Sequence, residues 1–141
     1  MIQNLAEYFL PEQEYYLDNI SYKRIETFQQ DKENNLKCTD SLTVEVMEET
    51  VKITLMRSLN FEPEKIFSLS VSFGAILRFN PERKKEIHWA EINLAQEFRS
   101  NGGFVLANLL SRISLLIGQI TSAYGQQPLI LPIGIIQPEN N

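Results

Sequence analysis

The chain has 141 residues, of which 43% are apolar, and its 13 basic and 18 acidic side chains give a formal net charge of −5. A chain of this size is expected to form one domain over residues 1–141, and its negative charge disfavours nucleic acid as a partner. Its first residues include no basic segment typical of a secretory signal, so we expect a cytoplasmic protein.

Three segments in the first part of the chain alternate between apolar and polar residues. In the segment from Lys65 to Phe79 the odd positions from Phe67 onward are apolar, with serine and arginine at several positions between them, which is typical of a long strand with one buried face. Val51 to Leu59 and Leu42 to Val46 alternate in the same way. Cys38 precedes the latter segment, and we expect it to be a half-buried strand residue.

A fourth strand is predicted at Asn19–Phe28, with a bulge where its alternation falters at Lys23 and Arg24. Residues 31–35 (DKENN) are predicted to form a solvated loop. The junction at residues 48–50 is short enough for a hairpin, and Pro63 marks a second reversal at residues 60–64. Strands joined so tightly run antiparallel, which predicts a four-stranded antiparallel sheet.

The second part of the chain is predicted to be helical. Asn80 and Pro81 end the last strand, and a charged connection follows to Glu86. A short helix is predicted at about residues 94–99, with Asn93 as N-cap and Gln96 as its capping-box partner. Residues 101–103 (NGG) end it, and a long helix follows at about residues 104–124. The fold class is therefore α+β, with the sheet packed on a long C-terminal helix.

The long helix has a broad apolar stripe that should cover the sheet. Arg112 near its middle, with several serine, asparagine and glutamine side chains, argues against membrane insertion. The stripe consists of Leu106, Leu109, Leu110, Ile113, Leu116, Ile117, Ile120 and Tyr124.

A second line on the same helix contains only small residues, at spacings of three and four. Glycine within a helix costs about 1 kcal/mol relative to alanine, which close approach of another backbone would offset. The line therefore predicts an oligomer interface with the same helix of a second subunit, and the alternative is that it faces water. Its members are Ala107, Ser111, Ser114, Gly118 and Thr121.

The sequence offers no support for catalysis or for a cofactor. His88 and Cys38 are the only histidine and cysteine, so no multi-histidine or multi-thiolate metal site is available. Neither GxxxxGK[ST] nor GxGxxG occurs, and no nucleophile elbow is present. Glu45, Glu48 and Glu49 are interpreted as a solvated strand end and not as an acid/base pair. We expect a protein that is not an enzyme and holds neither metal nor cofactor.

An apolar tail over residues 125–141 follows the long helix. Pro128 and Pro132 stop the helix from continuing and favour an extended path. Two interpretations are open: the aliphatic run packs on the domain's own core, or its free backbone groups and side chains bind another chain.

In its order of elements and in three short motifs, the chain resembles the SecB family of export chaperones. The most specific motif is the helix end ITS (residues 120–122) followed by GQQPLILP (residues 125–132). NISY (residues 19–22) is similar to an Asp-Ile-Ser-Phe-like sequence in the family's first strand. GAIL (residues 74–77) is similar to the family's Gly-Gly-Ile-Phe.

This resemblance implies a homotetramer that binds unfolded or precursor polypeptides in apolar grooves without ATP. The tail corresponds to the family's helix-crossing loop and would form one wall of such a groove. Its client-binding residues would be Leu129, Ile130, Leu131, Ile133, Ile135 and Ile136. An acidic patch for a partner protein would consist of Glu26, Glu45 and Glu48.

The chain departs from the family in three places. Leu110–Ser114 (LSRIS) replaces a Phe-Pro-Tyr-x-Arg-like sequence, and after Pro132 the family's second helix is expected to be missing. Lys23 and Ser70 stand where members that dock on SecA carry acids, so docking on SecA is in doubt. A dedicated chaperone of one client, such as an antitoxin, and an oligomeric interaction protein without chaperone activity are the alternatives.

Overall fold

The computed structural model describes residues 2–25, 35–62 and 66–123, which form a four-stranded antiparallel sheet and two α-helices. The strands are β1 (Phe9–Ile25), β2 (Asn35–Val46), β3 (Thr50–Glu62) and β4 (Ile66–Phe79). Their order is β1-β4-β3-β2, so β2, β3 and β4 form a meander and β1 pairs with β4. The predicted α+β class, with an antiparallel sheet and a long C-terminal helix, is confirmed.

Strands β2 and β3 are longer than predicted. The hairpin register places Val46 opposite Val51 and continues to Asn35 opposite Glu62. The loop predicted at residues 31–35 was therefore wrong at Asn35, which begins β2. The reversal predicted at residues 60–64 was wrong at residues 60–62, which belong to β3. Phe61 gives the physical reason, because its buried side chain continues the alternation of β3 beyond Leu59. Cys38 lies half-buried in β2, as predicted.

Strand β1 begins at Phe9, well before the predicted start at Asn19. Phe9 lies opposite Phe79 in the register, and their rings stack with centroids 5.2 Å apart. The pattern did not indicate this start because an edge strand leaves many of its side chains in water and tolerates Pro11 and several acids there.

The register of β1 shifts at Asp18 and between Phe9 and Gln13, and not at Lys23 and Arg24. Leu17 is opposite Phe73 and Asn19 is opposite Ser72, so Asp18 is the extra residue. The Ser72 hydroxyl donates a hydrogen bond of 2.9 Å to the Asp18 carboxylate. Lys23 and Arg24 continue the regular register.

The two helices are α1 (Leu94–Asn101) and α2 (Gly103–Ala123). Asn93 caps α1 by accepting a 3.2 Å hydrogen bond from the Gln96 backbone N–H, as predicted, and the helix continues two residues beyond the predicted Arg99. Gly102 separates the helices at a position where a Cβ would lie 2.3 Å from the Phe98 carbonyl oxygen, so any larger residue would clash. Tyr124 of the predicted apolar stripe lies outside the described residues.

Helix α2 packs on β4 and β3, and α1 contacts α2 and β2. The apolar stripe predicted for α2 is largely confirmed, because its central members are buried, while Leu116 and Ile120 are partly buried. Val105 is also buried, although the pattern did not assign it to the stripe. The buried members are Leu106, Leu109, Leu110, Ile113 and Ile117.

An ion pair is buried within the apolar side of the sheet. Arg57 of β3 lies directly opposite Asp40 of β2, and the two residues are 0% and 4% exposed. The guanidinium donates two hydrogen bonds to the carboxylate, from Nε at 2.8 Å and from the second terminal nitrogen at 2.9 Å. The Asp40 hydrogen bond raises the pKa of Arg57 and outweighs the opposing effect of burial. Sequence analysis missed this pair: Arg57 occupies a core-facing position of a predicted strand, whereas Asp40 lies before the strand predicted to begin at Leu42.

Removing one partner of this pair should destabilise the fold more than removing both. Asp40→Leu or Arg57→Met alone leaves a buried charge unpaired and should lower the free energy of unfolding by about 3–5 kcal/mol. The double variant removes both charges and should retain most of the wild-type stability. Urea denaturation of all four proteins measures the difference, and a double variant as unstable as the sum of the single variants would contradict it.

Candidate functional site

Three large apolar side chains of β1 are exposed on the side of the sheet that carries α2. Leu17, Ile20 and Tyr22 are 50%, 41% and 43% exposed and lie opposite Phe73, Val71 and Leu69 of β4. The β4 partners belong to the core or pack against it. We call Leu17, Ile20 and Tyr22 the edge strip.

The bulge at Asp18 places the members of the edge strip on one side. In a regular strand, residues three apart point to opposite faces of the sheet. The extra residue shifts the alternation by one position, so Leu17 and Ile20 both lie opposite residues of the core-facing set of β4. Within the described residues no strand pairs with the outer side of β1, which leaves backbone hydrogen-bonding groups beside the strip.

Tyr15 lies at the end of the edge strip that reaches α2. The Arg112 guanidinium of α2 lies 4.6 Å from the centroid of the Tyr15 ring. Burial raises the pKa of the Tyr15 hydroxyl, and Arg112 and Asn108 offset part of this effect. The hydroxyl is therefore neutral near pH 7 and donates to the Gln13 side chain. Arg112 thus connects the side of α2 to β1 next to the edge strip.

The opposite face of the sheet is largely polar at its centre. The hydroxyls of Ser58 and Ser70 lie 3.0 Å apart, within hydrogen-bonding distance. The ring of Tyr16 lies over Gly74, where a Cβ would be 2.2 Å from the ring. Glycine at this position is explained by that close approach. The exposed apolar side chains of β1 are therefore on the α2 side of the sheet, whereas Met56 of β3, 38% exposed, lies on the opposite face.

The predicted small-residue line on α2 is divided between the two sides of the helix. Ala107 and Ser111 are exposed, and Ser114 and Gly118 are partly buried. Thr121 is 1% exposed, and its hydroxyl donates to the Ile117 carbonyl oxygen at 2.8 Å. Thr121 is thus buried within the protomer and does not lie on the exposed side. An interface at the other four positions stays a prediction.

By length and composition, helix α2 could cross a membrane. Its most apolar 18-residue segment has a mean hydropathy of 1.5, and 33% of that segment is buried in the protein. Core helices of soluble proteins pass the same test. Here the buried side of α2 packs on β4 and β3. That the helix stays out of the membrane remains a prediction.

The remaining predicted site residues lie in two places. Glu26 and the predicted client-binding residues, Leu129 to Ile136, lie outside the described residues. Glu45 is exposed and lies opposite Lys52 in the hairpin register. The Glu48 carbonyl oxygen accepts a hydrogen bond from the Lys84 ammonium. Both described members of the predicted acidic patch therefore have a cation close by.

The described residues contain no cluster of three histidine, cysteine, aspartate or glutamate side chains that could hold a metal ion. Cys38 lies near the buried ion pair, and burial raises the pKa of its thiol.

The edge strip was missed as a site because Leu17 lies before the predicted first strand. The signal that could have found it is the shift of apolar residues from odd to even positions between Leu17 and Ile20.

No protein-family model and no curated protein matches the chain. Among solved structures, it is similar to the Mycobacterium tuberculosis SecB-like chaperone Rv1957 in complex with a ChAD peptide from the Rv1956 HigA1 antitoxin. The TM-score is 0.54 at 11% sequence identity, covering 85% of this chain and 83% of that one. A protein of unknown function from Streptococcus agalactiae matches with a TM-score of 0.41 at 13% identity, covering 86% of this chain and 95% of that one. The first of these likenesses shows a SecB-like fold.

The edge strip should contribute little to stability compared with the strand it borders. Ile20→Ser should lower the free energy of unfolding by about 1 kcal/mol or less, because Ile20 is 41% exposed. Val71→Ser, directly opposite, should cost about 2–4 kcal/mol because Val71 is fully buried. Urea denaturation compares them, and equal losses would show that Ile20 is as buried as Val71.

Proposed function

We propose that the protein is an ATP-independent polypeptide-binding chaperone, a holdase, with a SecB-like fold, acting in the cytoplasm. The observation that carries this proposal is the edge strip, which lies along the side of β1 on which no strand of the described residues pairs. Non-native polypeptides expose apolar side chains and unpaired backbone groups. The edge of β1 offers a complement to both.

An extended segment can bind such an edge with little sequence preference. Backbone hydrogen bonds along β1 would supply affinity that does not depend on the side chains of the client. Covering the remaining exposed part of each strip residue would add about 1 kcal/mol. The resulting affinity is moderate, which suits a chaperone that must release its client without spending nucleotide energy.

The apolar tail would extend this surface. Leu129, Ile130, Leu131, Ile133, Ile135 and Ile136 are proposed as the second wall of the client groove on the strength of their sequence alone. Leu131→Asp tests that wall separately from the edge strip.

A single client is the second candidate function. It is favoured by the similar structure from Mycobacterium tuberculosis, in which the SecB-like chaperone is in complex with a peptide from an antitoxin. Pull-down of one dominant small partner would favour this form, whereas recovery of many precursors would favour a general export chaperone. Docking on SecA is not part of the proposal, because Lys23 and Ser70 occupy positions where acids would be needed.

Self-association is proposed through the outward side of α2. Ala107, Ser111 and Gly118 allow a close approach there, and Leu115 nearby is 66% exposed. A helix of this hydropathy with so much uncovered surface is stabilised by a partner that excludes water. A homotetramer is the assembly that the SecB-like fold suggests.

A charge in the edge strip should strongly reduce chaperone activity. Ile20→Asp places a carboxylate on the apolar surface, and we expect suppression of the aggregation of an unfolded substrate, measured by light scattering without ATP, to fall at least about 5-fold. Ser21→Asp is the matched control, since Ser21 is also exposed on β1 but lies opposite Ser70, outside the core-facing set. Its activity should stay near that of the wild type.

The holdase proposal fails if the wild-type protein at stoichiometric amounts leaves aggregation unchanged. Equal losses in Ile20→Asp and Ser21→Asp would instead remove the edge strip as the binding surface. Circular dichroism of each variant establishes that the comparison is between folded proteins.

Bulk at Gly118 should break the assembly. Gly118→Leu prevents close approach on the outward side of α2, and multi-angle light scattering should then report a smaller species than the wild type. Gln119→Leu adds a similar side chain at the neighbouring exposed position and should leave the assembly unchanged. A wild-type protein that is monomeric at micromolar concentration would contradict the proposed interface.

A further inference from the structure

A cavity of about 390 Å³ lies where the start of β1, the turn between β2 and β3, and the end of β4 come together. Its apolar walls are Leu10, Phe79 and Pro81. Phe79 is 5% exposed and packs against the Trp89 ring at a centroid distance of 4.9 Å. This volume suits one or two amino-acid side chains or a small ligand of similar size.

Three cations and one acid complete the lining of this cavity. Arg78, Lys84 and Lys85 line it together with Glu49. Within the described residues, neither Arg78 nor Lys85 forms an ion pair. The local charge is therefore positive in a chain whose net charge is −5.

Neighbouring Arg83 holds two of the acids at this end of the sheet. Arg83 pairs with Glu7 and with Glu86, the latter at 2.8 Å, and its guanidinium lies 4.5 Å from the centroid of the Tyr8 ring. Two carboxylates at this end of the sheet are thus occupied by a cation that does not line the cavity. The cavity cations keep an excess of positive charge.

The walls of the cavity are held by backbone hydrogen bonds. The Phe79 N–H donates to the Glu49 carbonyl oxygen at 3.0 Å, and the Asn80 N–H donates to the Tyr8 carbonyl oxygen at 2.8 Å. The Trp89 indole donates to the Lys84 carbonyl oxygen at 2.9 Å, which fixes the backbone that carries Lys84. A preformed cavity loses little conformational freedom when a ligand binds.

We propose that this cavity binds a client segment in which a carboxylate adjoins an apolar side chain. The apolar group would lie against Leu10 and Phe79, and the carboxylate would accept hydrogen bonds from Arg78 and Lys85. Leu10 belongs to β1 and lies at most about 23 Å along the strand from Leu17 at 3.3 Å per residue, so one extended segment can reach both the cavity and the edge strip. This inference rests on the proposed polypeptide-binding function.

The test uses two unstructured peptides of about twelve residues, identical except for one position. Both carry alternating leucine and serine, and one has Asp-Leu near one end where the other has Asn-Leu. In fluorescence anisotropy titrations, the aspartate peptide should bind the wild-type protein about 5- to 10-fold more tightly. Salt at 0.5 M should reduce this preference because the cavity is open to solvent.

The double variant Arg78→Gln/Lys85→Gln should lose the preference and bind both peptides equally. Its control, Lys52→Gln/Arg99→Gln, removes the same charge from residues that do not line the cavity and should keep the preference. Equal binding of the two peptides to the wild type would overturn the cavity site while leaving polypeptide binding intact. A preference that survives in the cavity variant would also overturn it, and failure of both peptides to bind would overturn the proposed function as well.

Discussion

The packing of α2 on the sheet is the constraint on which the other features depend. A helix with its side chains is about 10–12 Å across, whereas four strands spaced by about 4.8 Å extend over more than 14 Å between their outer backbones. One helix therefore cannot cover the whole face. Leu109, Ile113 and Ile117 are buried on the side of α2 that packs on β3 and β4, and α1 contacts the β2 side. The edge strip of β1 is what this arrangement leaves uncovered.

Two polar features lie on the core side of the sheet. Arg57 and Asp40 lie opposite each other on β3 and β2, and their bidentate pairing satisfies two charges that would otherwise be very unfavourable there. Arg112 lies along the side of α2 and stacks on Tyr15, which joins the helix to β1 before the edge strip begins. The uncovered surface is therefore bounded by specific contacts, and it has the apolar character that the proposed chaperone function requires.

Sequence patterns predicted the elements that are buried on one face and missed those at the edge. The alternating apolar residues of β4 and the apolar stripe of α2 could be predicted because one side of each element is buried. The predicted first strand was shorter than β1 for two reasons. Exposed acids separate Phe9 from Ile20, and the bulge at Asp18 reverses the alternation of apolar and polar residues. The Arg57–Asp40 pair was missed for another reason. A charged residue at a core-facing position can be interpreted as half of an ion pair only when the residue opposite it on the next strand is known. The cavity near Phe79 joins three separate chain segments, and no local pattern predicts such a junction.

Hydrogen exchange of the protein with and without an unfolded polypeptide tests the central claim most directly, because it reports where the client binds without changing any residue. Binding should slow the exchange of the β1 amides on the side where no described strand pairs, while the amides of β3, which lies between β2 and β4, should be unaffected. Protection confined to β2 or to the polar face, with β1 unchanged, would contradict the account.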